Sequence, residues 1–344
     1  YFPGVTIYRI PSIPGIKKVK IGPSIQKIPL DIFLILKTIG MLFKHKYDLI
    51  HTHEEAGFWG TLCSKLFSTP HIYDMHSSLP QQLTNFKFTK SKFLIAIFEK
   101  LEGWVLKNAQ AVITICPDLY DHVLKRFPEK GSILIENVID YGLIFGNEKP
   151  TVSIRKKYNL EKKKIALYCG TFEPYQGLDM LIESAEQVLK KDKSVCFLMV
   201  GGHAAQVAMY QKQVKEKKLS DYFIFTGQVQ PGEVSPFIES ADILLSPRMA
   251  GTNTPLKVYS YLRSGVPIVA TRLLTHTQVM NKDVSVLADP NPQGFAQGIL
   301  SILKNKKRSS QMVQNAIKLA EEKYSYSLYL KKFALTIHKA TERS

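Results

Sequence analysis

The chain has 344 residues, 45% hydrophobic and 22% charged, which excludes a disordered polypeptide and supplies enough apolar mass for two domains with cores of their own. Lys and Arg number 46 against 29 Asp and Glu, a formal charge of +17, so an anionic partner is expected: phosphate, a lipid headgroup or nucleic acid. Cys63, Cys116, Cys169 and Cys196 are too far apart to suggest a zinc pattern or a disulfide framework, and no apolar run is long enough to span a bilayer.

In chain order, Tyr1–Ile10 reads as a turn and a strand with no initiating Met, so a preceding strand and Gly-rich turn are expected to be missing. Ile32–Lys46 and Phe86–Lys100 mix large apolar side chains with lysines. Each fits a helix packing on a sheet, and each fits a helix lying on an anionic membrane surface. Short apolar runs at Tyr47–His51, His71–Tyr73, Ala111–Ile115 and Ile133–Ile135 alternate with helix-length segments, the pattern of a parallel sheet covered on both faces. Asp140–Val152 has Gly142, Gly146 and Pro150 and no periodicity, and reads as a linker.

A second series follows at Ile165–Cys169, Cys196–Val200, Phe223–Thr226, Ile243–Leu245, Pro267–Ala270 and Val284–Leu287, and a helix is expected over Ser325–Thr341. The predicted class is α/β: two doubly wound, Rossmann-like domains facing across a cleft. The expected divisions are an incomplete first domain over 1–142, a second domain over 143–325, and a closing helix in 326–344 that packs back on the first.

The stretch Gly251–Thr271 is the most informative. Thr254 is placed to cap a helix, Pro255 suits its first turn, Gly265 ends it, and Val266–Ala270 follows as a buried strand. Backbone N–H groups of Gly251–Thr254 would then sit at the positive end of a helix dipole with Lys257 one turn inside, a corner suited to an anion. An ordinary capped loop explains the same residues equally well.

Histidine offers two patterns. His51 and His53 alternate on a strand and share a face, as a metal pair would, but a metal site needs further ligands, so no metal is assigned. His276, in Thr275–Gln278, is read as polar scaffolding or cleft edge.

The ordered segments Asp48-Leu-Ile-His-Thr-His53, Tyr73-Asp-Met-His-Ser-Ser78, Ala109–Pro117 and Glu136-Asn-Val-Ile-Asp140 resemble successive landmarks of family 4 retaining glycosyltransferases of GT-B fold. So do Gly170-Thr-Phe-Glu-Pro-Tyr-Gln-Gly177, Phe223–Val229, Ala241–Pro247 and Gly251–Thr271. The resemblance spans nearly the whole chain. It implies transfer of a sugar from a nucleotide-sugar donor to an acceptor hydroxyl with retention, usually without a metal or other cofactor. The implied acceptor is a glycan or lipid-linked, as in cell-envelope polysaccharide synthesis. A cytoplasmic setting, peripheral to the inner face of the membrane, is expected.

By this resemblance His76 falls beside the transferred sugar and is the first catalytic candidate. His53 and Glu54 are acceptor-side candidates. Donor contacts fall on Gly170, Thr171, Gln176, Gly177, Gly227, Val229, Gly251, Thr252, Asn253, Thr254, Pro255, Leu256 and Ser260. The family's usual Arg is Thr171 here, its usual Lys is Gln176, and its Glu-x7-Glu positions are Thr252 and Ser260. Arg248 and Lys257 are therefore expected to relocate the positive charge that stabilises the leaving diphosphate.

Other classes fit less well. No Gly-x-Gly-x-x-Gly turn with a following acidic residue marks a nicotinamide site, and no helix-turn-helix, zinc or aromatic-basic pattern marks a nucleic-acid binder. A catalytically silent GT-B scaffold that binds a partner is the rival that the four replaced positions support.

Overall fold

The computed structural model describes residues 4–12, 27–81, 91–138 and 153–342. The predicted linker 140–152 and positions 86–90 of the second basic segment lie outside them. The chain divides into two units, Tyr1–Ile135 with Lys331–Ser344, and Glu136–Leu330.

The first unit runs α1 (Lys27–Lys44), β1 (Ile50–His53), α2 (Ala56–Phe67), β2 (His71–Met75), α3 (Lys92–Asn108), β3 (Ala111–Thr114), α4 (Pro117–Arg126), β4 (Ser132–Leu134). Its strands form one parallel sheet in the order β1-β2-β3-β4. Every residue of β2 and β3 is buried, as expected of strands covered on both faces. β1 begins three residues later than the predicted run. Pro70 has no N–H to give a ladder, so pairing starts at Ile50 opposite His71 and ends at His53 opposite Asp74. Thr52 points inward and lies 2.6 Å from His71 Nε2, which turns His51 and His53 to the other face.

The predicted opening strand is absent from residues 4–12, which run irregularly with Val5, Ile7 and Tyr8 exposed. Apolar alternation makes a strand only where a neighbouring edge accepts its hydrogen bonds. The basic apolar segments are helical over 32–44 and 92–100. α1 leaves Ile28, Ile32, Phe33, Leu36 and Phe43 exposed, while α3 buries Val105 and Leu106 but exposes Phe93 and Ile97. Among the described residues no helix is long and apolar enough to cross a membrane.

The second unit continues with α5 (Ile154–Lys157), β5 (Lys164–Cys169), a 3-10 turn (Pro174–Gln176), α6 (Leu178–Leu189), β6 (Val195–Val200), α7 (Ala204–Glu216), β7 (Phe223–Gly227), α8 (Val234–Ser240) and β8 (Ile243–Ser246). Then come α9 (Lys257–Arg263), β9 (Ile268–Thr271), α10 (Leu274–Thr277), β10 (Val286–Ala288), α11 (Pro292–Lys304), α12 (Lys306–Lys323) and α13 (Tyr326–Thr341), which from Lys331 onward belongs to the first unit. Six parallel strands lie in the order β10-β9-β8-β5-β6-β7.

Alternation along the strands builds two cores. Ala166, Tyr168, Phe197, Met199, Leu245 and Val269 face one layer; Ile165, Leu167, Cys169, Leu198, Leu244 and Ala270 face the other. From β5 the chain winds outward through β6 and β7, then returns to β8 on the other side and winds through β9 and β10. The winding reverses between β5 and β8, and loops leaving the carboxyl ends of such a strand pair are where open α/β sheets place ligands. All four cysteines are free and buried.

Candidate active site

The two loops at this reversal contain most of the predicted donor residues. After β5 come Gly170 and Thr171, then the 3-10 turn, then Gly177 in the left-handed region at φ 75° immediately before α6. After β8 come Pro247, Arg248 and the 251–256 loop leading into α9. Met249 N–H donates to Tyr175 O at 2.8 Å, tying one loop to the other. A Cβ on Gly177 would run into the Pro247 carbonyl, and one on Gly201 into the Gly170 carbonyl. Both positions also have positive φ, so glycine meets two requirements at once.

Lys257 is the first residue of α9 rather than one turn inside it. Its Nζ is buried with no hydrogen-bond partner among the described residues, 3.8 Å from the centroid of the Tyr168 ring. It stands 3.1 Å from where a Cβ on Gly170 would be, so glycine there leaves the ammonium open toward the loop. Burial drives the Lys257 pKa down to about 7, with nearby Cys169 opposing and Arg248 adding to the fall. Arg248 lies over the Tyr175 ring, 5.2 Å from its centroid, and its Nε donates to Ala250 O at 2.7 Å. Burial lowers its pKa as well. Two cations held short of solvent, one without a partner, form an arrangement completed by an anion.

The predicted Thr254 cap does not form. The first turn closes instead with Val258 N–H donating to Pro255 O, and Leu256 sits at the cap position. Thr254 Oγ1 is left buried with no hydrogen-bond partner among the described residues, and so is Gln176 Oε1. Loop 251–254 is held from below: Thr275 Oγ1 donates to Asn253 O at 2.6 Å and Gln278 Nε2 to Thr252 O at 2.7 Å. His276 is fully buried between Ser246 and Thr271 and scaffolds this brace. Thr171 and Gln176 touch each other, Nε2 to Oγ1 at 3.4 Å. Ser260 is buried on α9, and Gly227 O accepts from Gly201 N–H at 2.9 Å where β7 ends.

In the first unit His76, His53 and Glu54 come together. His53 Nδ1 lies 3.2 Å from His76 Nε2, and Ser77 Oγ donates to Glu54 at 2.7 Å. Burial raises the Glu54 pKa, and the Ser77 hydrogen bond opposes it. Two further members join the group. Asp74 Oδ2 is 3.4 Å from both His51 Nε2 and His53 Nδ1, and Oδ1 is 3.3 Å from His76 Nε2. Burial would raise the Asp74 pKa, but the His51 and His76 imidazoles beside it overcome it and hold the carboxyl at about 2. His71, by contrast, is a core residue, driven down to about 4 by burial.

Two family descriptions match consecutive stretches: Glycosyltransferase Family 4 over residues 7–142 and Glycosyl transferases group 1 over residues 151–319. The chain belongs to the family 4, group 1 glycosyltransferases. YtcC of Bacillus subtilis is 23% identical over 272 residues, which cover 73% of this chain and 65% of that protein's length. The alpha-monoglucosyldiacylglycerol synthase of Acholeplasma laidlawii is 21% identical over 77% of this chain and 72% of its own. Among solved structures, Alr3699/HepE of Anabaena in complex with UDP superimposes with a TM-score of 0.73 at 18% identity, over 89% of this chain and 82% of that one. The GT-B fold expected from the sequence is therefore the fold of this glycosyltransferase.

Asp74 and the partnering of His51 were missed in the sequence. The signal was there: His-x-His and Asp-x-His on adjacent parallel strands put four side chains on one face once His53 is paired with Asp74. Only the register was unreadable.

Proposed function

We propose that this glycosyltransferase moves a sugar, with retention, from a nucleoside diphosphate sugar to an acceptor hydroxyl, and that Lys257 and Arg248 take over the charge role that the family's usual Arg and Lys play. The observation that carries the proposal is the buried, unpartnered Lys257 ammonium at the carboxyl end of β5, facing Gly170. The leaving diphosphate would lie against Lys257 and Arg248 and take N–H donors from Gly251–Thr254 and the start of α6. Fixed cations and dipoles of this kind stabilise developing charge without reorganising, so no divalent ion is needed at the diphosphate.

Gly177, which lets the two loops meet, and Gly170, which clears the space before Lys257, fit the close approach of a phosphate. Thr254 Oγ1 and Gln176 Oε1 are polar groups free for the donor sugar or phosphate. Pro255, Leu256 and Val229 contribute shape, Ser260 is proposed at the ribose and Gly227 near the base. His76 acts beside the transferred sugar, with His53 and Glu54 toward the acceptor. In such a reaction the leaving phosphate oxygen can accept the acceptor's proton on the same face, so no protein nucleophile is required.

A lipid-linked or envelope-glycan acceptor is supported by the exposed apolar residues of α1 and the net charge of +17. The relative from Acholeplasma laidlawii, named as a glycolipid synthase, agrees with this.

The deciding experiment is calorimetric titration with UDP, GDP and ADP, with and without EDTA. Micromolar binding of one nucleotide, unaffected by EDTA, is expected. Failure of all three to bind would refute the donor site. Donor binding without turnover, on a full panel of acceptors, would favour the silent scaffold.

A further inference from the structure

The sheet of the first unit puts His51, His53, Asp74 and His76 on one face, because His53 pairs with Asp74 and the other two lie two residues away along their strands. We propose that this group is a cation site for Zn2+ or a similar borderline divalent metal, held by His51 Nε2, His53 Nδ1 and Asp74, with His76 Nε2 as the fourth ligand.

Distances carry the argument. His51 Nε2 and His53 Nδ1 each lie 3.4 Å from Asp74 Oδ2, and His76 Nε2 lies 3.2 Å from His53 Nδ1 and 3.3 Å from the other carboxylate oxygen, Oδ1. Charge-assisted N–H to carboxylate hydrogen bonds are shorter, about 2.7–2.9 Å. The edge of a tetrahedron around an ion with bonds of about 2.0–2.1 Å is about 3.3–3.4 Å. The ligand atoms of His51, His53 and Asp74 all lie within 4.8 Å of one another. Asp74 is only 8% exposed, and its Oδ1 accepts no hydrogen bond among the described residues, although it faces this group. A buried carboxylate with Oδ2 facing two imidazoles and Oδ1 beside a third is a donor set that suits a cation.

The donor set selects the metal. Imidazole nitrogens with one carboxylate suit Zn2+, Co2+ or Ni2+, whereas Mg2+ and Ca2+ want oxygen. The ring of His51 is stacked on that of His53, centroids 4.9 Å apart, and packs against Phe333 of α13 at 5.9 Å, so its orientation is already fixed. This group belongs to the first unit, and the proposed diphosphate site uses residues of the second. Since His76 is shared, a bound ion would compete with sugar transfer and inhibit it. That consequence alone rests on the transferase reading; the ion site does not.

The test is Zn2+ titration of the EDTA-stripped, dialysed full chain by calorimetry, with Co2+ absorption as a second probe of tetrahedral geometry. Wild type is expected to bind one equivalent and to show the visible bands of tetrahedral Co2+. His51→Gln changes a partly exposed ligand and is expected to weaken Zn2+ binding about 100-fold or more, since even outer-sphere partners are worth 10–100-fold. Asp74→Asn is expected to abolish it. Circular dichroism and nucleotide titration of the same variants report folding independently. No Zn2+ binding by wild type, or unchanged binding by folded His51→Gln, overturns the proposal whatever the nucleotide titration shows.

Discussion

Replacing Lys257 with Met separates fold from function at the proposed diphosphate site, because the two should move in opposite directions. In the free protein, burial lowers the Lys257 pKa from 10.5 to about 7. A shift of that size corresponds to a few kcal/mol by which the fold opposes the charged amine at neutral pH. Met keeps the length and the contact with Tyr168 but removes that cost. Urea unfolding of apo Lys257→Met should therefore show a higher midpoint than wild type at pH 7. The sign over pH follows. Between about pH 7 and 10.5 unfolded chains hold a proton on this lysine that the folded protein lacks, so wild-type stability should rise with pH across that window relative to the variant.

With a nucleoside diphosphate bound, the same ammonium gains a charge-assisted bond worth about 2–3 kcal/mol, so Lys257→Met should bind UDP, or the preferred nucleotide, about 30–150-fold more weakly. Binding to wild type should also weaken as pH rises above about 7, by up to tenfold per unit, because the free protein must take up a proton that the complex holds. Burial sets this window, with Cys169 opposing it and Arg248 adding to it, and Tyr168 and His276 also lie close to Lys257. Equal nucleotide affinity in the variant, or a lower unfolding midpoint, would refute the reasoning, since either means that Nζ is paired by something other than the donor.

Three further outcomes are expected. Gly177→Ala and Gly201→Ala should each cost a few kcal/mol in urea unfolding and abolish nucleotide binding, because a Cβ meets a backbone carbonyl at a positive φ in both cases. His76→Ala should lower kcat about 10²–10⁴-fold while leaving nucleotide affinity in calorimetry unchanged, since His76 belongs to the first unit and the diphosphate site to the second; a loss of nucleotide affinity would contradict that division. Phe33→Asp with Leu36→Asp, both on the exposed face of α1, should remove cosedimentation with phosphatidylglycerol vesicles and not with neutral ones, where no binding is expected in either form.

Much of this protein was legible in the sequence because its signals are local. Strand runs such as Ile165–Cys169 and Cys196–Val200 are apolar on both faces, a requirement of any strand covered by helices on two sides, and they name the parallel sheet without coordinates. Gly177 and Gly265 marked turns that only a residue without Cβ adopts cheaply. The loop-helix-strand order of Gly251–Thr271 pointed to an anion corner before any atom was placed. Three things did not follow from the local pattern. Residues 4–12 alternate like a strand, but among the described residues no strand edge bonds them. Thr254 looks like a cap, but the first turn of α9 closes on Pro255, and its hydroxyl stays free. The His-Asp cluster exists because β1 meets β2 in the register that sets His53 opposite Asp74; a shift of one residue would send the histidines to the opposite face. Local chemistry decided which elements form, and hydrogen-bond register between them decided which side chains meet.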